Sequence, residues 1–222
     1  MRAILPILLL TIATPLATAG PIVSPTAAYL SATSVITFSD ADEALLHIIT
    51  TNQIAVEFSS LLRASTVGDN WASWGSPPNT ESATPRVLWS GLDDNFNPVT
   101  TVTFLLSRPV SVFGFEAEPG PTSVHTLTVS YFMQGQLLQT ISRDVSGTAG
   151  AVLFAASAAP GTFFDSVTLT SDADWAVGQL RYAPFIQSTT AAPEPQSWLL
   201  LASGLAILGY FSRTVKLQKD SQ

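Results

Sequence analysis

The stretch that decides the fold is residues 99–115, which reads VTTVTFLLSRPVSVFGF. Its first eight and last six residues are rich in the β-branched and aromatic side chains that are typical of strands. Ser107, Arg108 and Pro109 separate the two halves, and proline cannot donate a ladder hydrogen bond inside a central strand. The stretch therefore predicts two consecutive strands with a break at residues 107–109.

Similar patterns recur on both sides of this stretch. Apolar runs predict further strands at residues 34–38, 53–58, 86–89, 127–131, 136–141, 151–156, 163–170 and 175–183. Gln134-Gly135 lies between two of them and predicts a tight hairpin. Asp40 and Glu43 are placed to cap a short helix. Eight to ten short strands without a long helix favour an all-β fold, namely an antiparallel β-sandwich of jelly-roll type, with a closed barrel as the alternative.

The N-terminus has the features of an export signal. Arg2 precedes an apolar run at residues 3–12, and Ala17-Thr18-Ala19 forms a small-x-small cleavage site. We therefore expect a signal peptide over residues 1–19 and a mature chain that begins near Gly20.

A second targeting feature lies near the other end of the chain. Pro193-Glu194-Pro195 precedes an uncharged run at residues 198–211, and Arg213 and Lys216 follow it. The run predicts a transmembrane helix over residues 197–215, provided that the cations reach back to the headgroups. Because the cations follow the helix, the positive-inside rule places the body outside the cytoplasmic membrane.

This arrangement resembles the PEP-CTERM sorting signal of Gram-negative bacteria. Pro193, Glu194 and Pro195 match its tripeptide, and Arg213 and Lys216 match its basic end. The resemblance implies recognition by an exosortase-type membrane enzyme, cleavage near the tripeptide and transfer to the cell surface. It also implies association with exopolysaccharide or biofilm. It divides the chain into the signal peptide, a body at 20–186, a linker at 187–192 and a sorting signal at 193–222.

Composition excludes several classes of function. The chain has no cysteine, which excludes cysteine nucleophiles and thiolate metal sites. The body from residue 20 to residue 192 has five arginines and no lysine against fourteen acids. Such a surface offers few cations to replace phosphate counterions, so nucleic acid is not an expected partner.

The residues available for catalysis are few. The chain has two histidines, His47 and His125, and it lacks the Gly-x-Ser-x-Gly and His-Glu-x-x-His motifs. His47 is expected to be a partly buried core residue. Glu116 and Glu118 share one face of a strand, as paired carboxylates of a glycosidase would, but a solvated strand end accounts for them better. We therefore expect a protein that is not an enzyme.

The candidate ligand contacts are aromatic. Trp71 and Trp74 lie in a loop rich in Gly, Asn, Ser and Pro, with Arg86 and Trp89 nearby in the sequence. Exposed tryptophans can stack on sugar rings, whereas buried ones would cap one end of the sandwich core. The pattern leaves both interpretations open.

Acidic pairs are the candidate metal ligands. Asp40 and Asp42 follow the first predicted strand, and Asp172 and Asp174 precede the last one. If the ends of the domain meet, their oxygens could together hold a calcium ion. Each pair is also well suited to capping or turn formation, so calcium is the one cofactor considered and none is required.

Three functions follow, in order of preference. The first is an exported, non-enzymatic surface or matrix protein sorted through its C-terminal signal. The second is a carbohydrate-binding module or adhesin that uses the Trp71/Trp74 loop. The third is a hydrolase of an extracellular polymer.

Overall fold

The computed structural model describes residues 20–91, 99–120 and 122–187. The expected signal peptide, the Pro193-Glu194-Pro195 tripeptide, the helix at 197–215, Arg213 and Lys216 lie outside these ranges. No helix among the described residues is long and apolar enough to cross a membrane.

The described residues form an all-β, antiparallel domain with one short helix. The helix, α1 (Ala27–Ala32), is capped by the side chain of Thr26. The strands are β1 (Gly20–Ile22), β2 (Ser34–Val35), β3 (Leu45–Thr50), β4 (Ala55–Thr66), β5 (Arg86–Trp89), β6 (Thr101–Pro119), β7 (Val124–Met133), β8 (Gln136–Ser146), β9 (Val152–Ser157), β10 (Phe164–Ser171) and β11 (Trp175–Pro184).

The decisive stretch is one long strand, so the prediction of two strands is wrong. β6 continues through residues 107–109, where its register against β10 shifts between Leu105 and Val110. This irregularity accommodates Pro109, because a proline is tolerated in a sheet where the regular ladder is interrupted. The break in the sequence pattern therefore marks a bend within a strand.

The bend lets β6 belong to both layers of a β-sandwich. Its first half pairs with β4 and β10, and its second half pairs with β9 and β11. One layer has the order β3-β4-β6-β10-β7-β8, and the other contains β1, β9, β6, β11 and β2. β5 joins β4 to β11 between the two layers.

The inner face of β6 holds the middle of the core. Phe104 stacks on Phe115 with 5.1 Å between ring centroids and meets Phe58 edge-on at 5.5 Å. Phe113 and Phe154 complete this aromatic group, and all five rings are fully buried. Burial of each ring contributes about 1.5–3 kcal/mol to folding, so this cluster is a large part of the stabilising free energy.

Local predictions had different outcomes. The Gln134-Gly135 hairpin is confirmed, since both residues have positive φ, 52° and 79°, as the favoured hairpin turn requires. The helix predicted from Asp40 is wrong, because Glu43 adopts a φ of 66° and β3 begins at Leu45. A helix would have needed negative φ at Glu43.

Candidate functional site

The outer face of the second layer is covered by residues 68–85, which we call the cover loop. The loop is tied to the turn after β8, where the N–H of Ala151 donates to the carbonyl of Trp74 at 2.7 Å. A Cβ on Gly150 would lie 2.9 Å from the Cα of Gly75. The two backbones therefore approach each other as closely as glycine allows.

Trp74 is the centre of the cover loop, and it is 1% exposed. Its Nε1–H donates to Oε2 of Glu116 at 2.8 Å. Its ring lies over Gly178 of β11, where a Cβ would come within 2.9 Å of the Trp74 Cζ2 atom. Because its ring is enclosed in this way, Trp74 has no free face for a sugar, and its assignment as a ligand contact is wrong.

The two glutamates of β6 anchor the cover loop. Glu116 Oε1 accepts the N–H of Glu81 at 2.6 Å, and Glu118 Oε1 accepts the hydroxyl of Ser73 at 2.7 Å. They share a face as expected, but both are fully buried, so the expectation of a solvated strand end is wrong. Burial raises the pKa of Glu116 to about 7, although the hydrogen bonds from Trp74 and Glu81 act in the opposite direction. Burial also raises the pKa of Glu118.

A second anchor joins the cover loop to the N-terminal segment. Both carboxylate oxygens of Glu81 accept from Nε of Arg181 at 2.8 Å. Nη1 of Arg181 donates to the carbonyl of Leu30 at 3.3 Å and to that of Thr33 at 3.1 Å. The arginine thus connects the loop, β11 and the end of α1 through partly buried contacts.

A surface cleft of about 280 Å³ opens beside the cover loop. Its walls come from the loop, the end of β5, the end of β6 and the turn before β11, and its residues are Asn70, Trp71, Ala72, Ser73, Trp89, Pro119, Gly120 and Asp174. The cleft combines two indoles with an amide, a hydroxyl and a carboxylate. Trp71 and Trp89, two of the aromatic residues expected to contact a ligand, thus share a cleft with the carboxyl of Asp174.

The two tryptophans of the cleft differ in their freedom. Trp71 is 8% exposed and packs with Val67, Trp74 and Ala176 beneath the loop. Trp89 is half-buried, and the guanidinium of Arg63 lies 5.4 Å from its ring centroid. Trp71 is therefore mostly enclosed by its neighbours, whereas Trp89 is partly open and packs against Arg63.

Arg86 belongs to a different set of contacts. It pairs with Oδ1 of Asp42 at 3.0 Å and also donates to the hydroxyl of Thr66 and the carbonyl of Asp40. Its guanidinium lies 5.5 Å from the ring centroid of Phe38. The structure therefore separates Arg86 from the cleft that contains Trp71 and Trp89.

The acidic pairs do not converge as the calcium hypothesis requires. Asp40 and Asp42 contact Arg86, whereas Asp172 Oδ1 accepts a hydrogen bond from Nδ1–H of His125 at 2.9 Å. Asp174 lies at the cleft, beside Gly120. Across residues 20–91, 99–120 and 122–187 there is no group of three or more acids, histidines or cysteines that could hold a metal ion. The prediction that the two pairs share an ion is wrong, because each pair has separate partners.

His47 also differs from its expected environment. It lies on β3, an edge strand, and its side chain is exposed, with Nδ1 3.7 Å from Oε1 of Glu57. Its neighbours Leu46 and Ile48 suggested a core position, but the register of β3 against β4 shifts between those two residues, and His47 at the shift is exposed.

Comparisons with known proteins identify no family. No family model and no curated protein sequence match the chain. Among solved structures, the enzymatically active domain of tailspike protein 4 from bacteriophage CBA120 is similar with a TM-score of 0.30 and 14% identity, over 60% of this chain and 20% of that one. The CBM22-1–GH10 modules of a Clostridium thermocellum endo-1,4-β-D-xylanase, solved with xylohexaose, give a TM-score of 0.29 and 14% identity over 58% and 27%. The chain thus spans less than a third of either protein, and at these TM-scores neither likeness carries an argument.

Sequence reasoning missed the anchors of the cover loop, and it considered Asp174 as a metal ligand without placing it at the cleft. Phe113 and Phe115 alternate with Glu116 and Glu118 closely enough to show that the glutamates face away from the core. Nothing in the sequence shows that a loop some forty residues earlier covers that face. The position of Asp174 and Trp71 in one cleft likewise depends on contacts between distant segments.

Proposed function

We propose that this protein is an exported, non-enzymatic surface or matrix protein, sorted by a PEP-CTERM-like signal and associated with extracellular polysaccharide. The observation that carries the proposal is the order of features along one chain. A signal-peptide pattern comes first, and Pro193-Glu194-Pro195, an uncharged run and Arg213 with Lys216 come last.

The body has properties that suit such a location. It folds around an aromatic core without cysteine, so its stability does not depend on the redox state of the compartment. We assign it to the jelly-roll type, since β2 near its start and β11 at its end pair within one layer. Its two carboxyls with raised pKa values, Glu116 and Glu118, are enclosed and hydrogen-bonded to the cover loop. This arrangement supports a non-catalytic role for them.

Intact-mass measurement of the native surface protein tests the sorting proposal. We expect a C-terminus before Trp198, and we expect the combined Pro193→Ala, Glu194→Ala and Pro195→Ala variant to keep its tail and remain in the membrane. Pro160→Ala, an exposed proline in a turn of the body, is the matched control. Mature surface protein that still ends at Gln222 would contradict the proposal.

The second candidate function is carbohydrate binding at the cleft. The specific observation in its favour is the convergence of Trp71 and Trp89 with Asn70, Ser73 and Asp174. Sugars are bound by aromatic surfaces together with a few directed hydrogen-bonding groups, and this cleft offers both.

Substitutions at the rim of the cleft test this second function without removing a buried ring. Asp174→Asn and Asn70→Ala should each weaken retention on a glycan that binds the parent protein, by roughly tenfold if each group makes one hydrogen bond to a charged or polar partner. Asp69→Asn, an exposed loop neighbour outside the cleft lining, serves as the control. Equal retention of all three variants would exclude the cleft.

A further inference from the structure

The outer face of the first layer carries two complete rows of hydroxyl side chains, which we call the hydroxyl face. Each row crosses the four neighbouring strands β6, β10, β7 and β8 in direct register. The first row is Thr103, Thr168, Ser130 and Thr140, and the second is Thr101, Thr170, Thr128 and Ser142. All eight positions are exposed or half-buried, and none carries a charge.

The hydroxyls are ordered by contacts with one another. In the first row, Thr103 and Thr168 lie 3.0 Å apart between their Oγ1 atoms, and Ser130 and Thr140 lie 3.2 Å apart. In the second row, the distance from Thr128 to Ser142 is 3.0 Å, and that from Thr101 to Thr170 is 3.4 Å. A hydroxyl has one donor and two acceptor sites, so each retains capacity for an outside partner.

Strand geometry makes this surface a regular lattice. Neighbouring strands are about 4.8 Å apart, and alternate residues along a strand are about 6.6–6.8 Å apart. Cross-strand pairs of threonine also stabilise sheets in their own right. That role explains single pairs, but it does not require hydroxyls at all eight positions of two adjacent rows.

An apolar row borders the hydroxyl face and is an independent sign of a partner. Leu105 is 46% exposed and Leu137 is 53% exposed, and Phe132 lies half-buried beside Leu137 in the ladder. Ser166 pairs with both Leu105 and Phe132, so these residues form the next row across the strands, beside the first hydroxyl row. Large apolar side chains that remain exposed together on one face are typical of interaction surfaces.

Charged groups are confined to the edges of this face. Asp144 accepts from the hydroxyl of Thr126 at 2.7 Å on one side, where His125 and Asp172 also lie. Asp165 accepts from the N–H of Gln134 on the other side. The centre of the face is therefore neutral, while the body as a whole is acidic.

We propose that the hydroxyl face binds a neutral polysaccharide chain. Sugar hydroxyls complement the two rows as both donors and acceptors, and the C–H faces of the rings complement Leu105, Phe132 and Leu137. Charge complementarity selects a neutral polymer, because the acidic body repels an anionic one. The inference rests on the proposed extracellular role and is independent of the cleft.

Pull-down of the full-length chain on defined polymers tests the proposal. The probes are cellulose, curdlan and cross-linked dextran, with alginate and polygalacturonate gels as anionic counterparts. We expect retention on at least one neutral polymer and none on the anionic gels. The combined Thr168→Val, Thr170→Val and Thr128→Val variant should weaken that retention roughly tenfold or more, since several hydrogen bonds are lost. Valine keeps the β-branched shape, so the strands should remain folded.

Matched variants separate this inference from the proposed functions. Thr50→Val, an exposed threonine of β3 outside the face, should bind like the parent. Loss of retention in Asp174→Asn but not in the triple valine variant would overturn the inference and leave cleft binding in place. The inference would also be overturned if the protein were retained on no neutral polymer, or if it shaped ice crystals without binding a polymer. Neither result would bear on the sorting proposal, which is tested by the mass of the C-terminus.

Discussion

The two halves of β6 face one common core on their inner side, but their outer sides differ in exposure to solvent. Inside, Phe104 of the first half and Phe115 of the second half stack in one core. Outside, Thr101 and Thr103 face solvent, whereas Glu116 and Glu118 are buried beneath the cover loop. A single strand thus supplies both an open surface and a covered one.

This difference shows that the polar side chains suited to a strand depend on whether its outer face is open to solvent or covered by a loop. Water satisfies an exposed hydroxyl, so the open half needs no special partner. Under the loop, Nε1–H of Trp74 is buried and the N–H of Glu81 is partly buried, and a buried unsatisfied donor costs about 1–3 kcal/mol. The carboxyl of Glu116 accepts both, although its own burial raises its pKa to about 7.

Removal of an aromatic ring from the common core should have the largest effect on stability. Phe104→Ala should lower the free energy of unfolding by about 3–5 kcal/mol, because it leaves a cavity among Phe58, Phe113 and Phe115. Urea denaturation followed by tryptophan fluorescence measures this. Leu105→Ala, the next residue on the outer face, should cost far less, and equal losses would contradict the division between the two faces.

The covered half should respond to pH and the open half should not. The pKa of Glu116 rises from its ordinary 4.5 to about 7 in the folded state, so the folded protein holds its proton more tightly than the unfolded chain. The resulting stability is fully present below pH 4.5 and is lost as pH rises to about 7. The free energy of unfolding should fall by up to about 3 kcal/mol across this window.

Denaturation midpoints at several pH values between 4 and 8 test this dependence. Glu116→Gln should reduce the slope, since it removes one of the two buried carboxyls with a raised pKa and leaves Glu118 to contribute the rest. A slope in this variant equal to that of the parent would assign the pH dependence to other groups.

A larger side chain at Gly178, beneath the cover loop, should have an intermediate effect on stability. Gly178→Ala would place a Cβ 2.9 Å from the ring of Trp74, and the loop would have to move. We expect a loss of about 1–3 kcal/mol together with a shift of the tryptophan emission maximum. In Gly20→Ala the nearest atom, the Ser157 hydroxyl, is 4.0 Å away, so this control should behave like the parent.

The open half should show the smallest effect on stability. Thr168→Val removes a hydroxyl from a half-buried position that water reaches, so the change should lie within about 0.5 kcal/mol. A loss above about 1 kcal/mol in thermal or urea unfolding would mean that the hydroxyl rows serve the sheet itself.

Local chemistry was enough to predict most strands and the hairpin. Alternation of apolar and polar side chains fixes which face of a strand is buried, and Gln134-Gly135 fixes a tight turn. The sequence was less informative where a residue serves two layers. Pro109 predicts an interruption, but whether the chain turns back or bends depends on β10 and β11, which follow it by more than fifty residues.

The candidate site was predicted in part. Trp71 and Trp89 do line one cleft, whereas Trp74 is buried and Arg86 pairs with Asp42. Loop composition indicates that a tryptophan is near the surface, but it does not show whether a glycine such as Gly178 leaves room for the ring. That information lies in a strand about a hundred residues away.

By itself, the sequence determined the class of fold and the expected destination. The alternation of side chains, the turn residues and the two terminal stretches that predict targeting signals are short-range patterns, so they can be read without a partner segment. The tertiary structure decided which polar residues are covered, which aromatic rings reach the cleft and which hydroxyls align in rows. These depend on the register between strands and on the position of the cover loop, and long-range packing sets both.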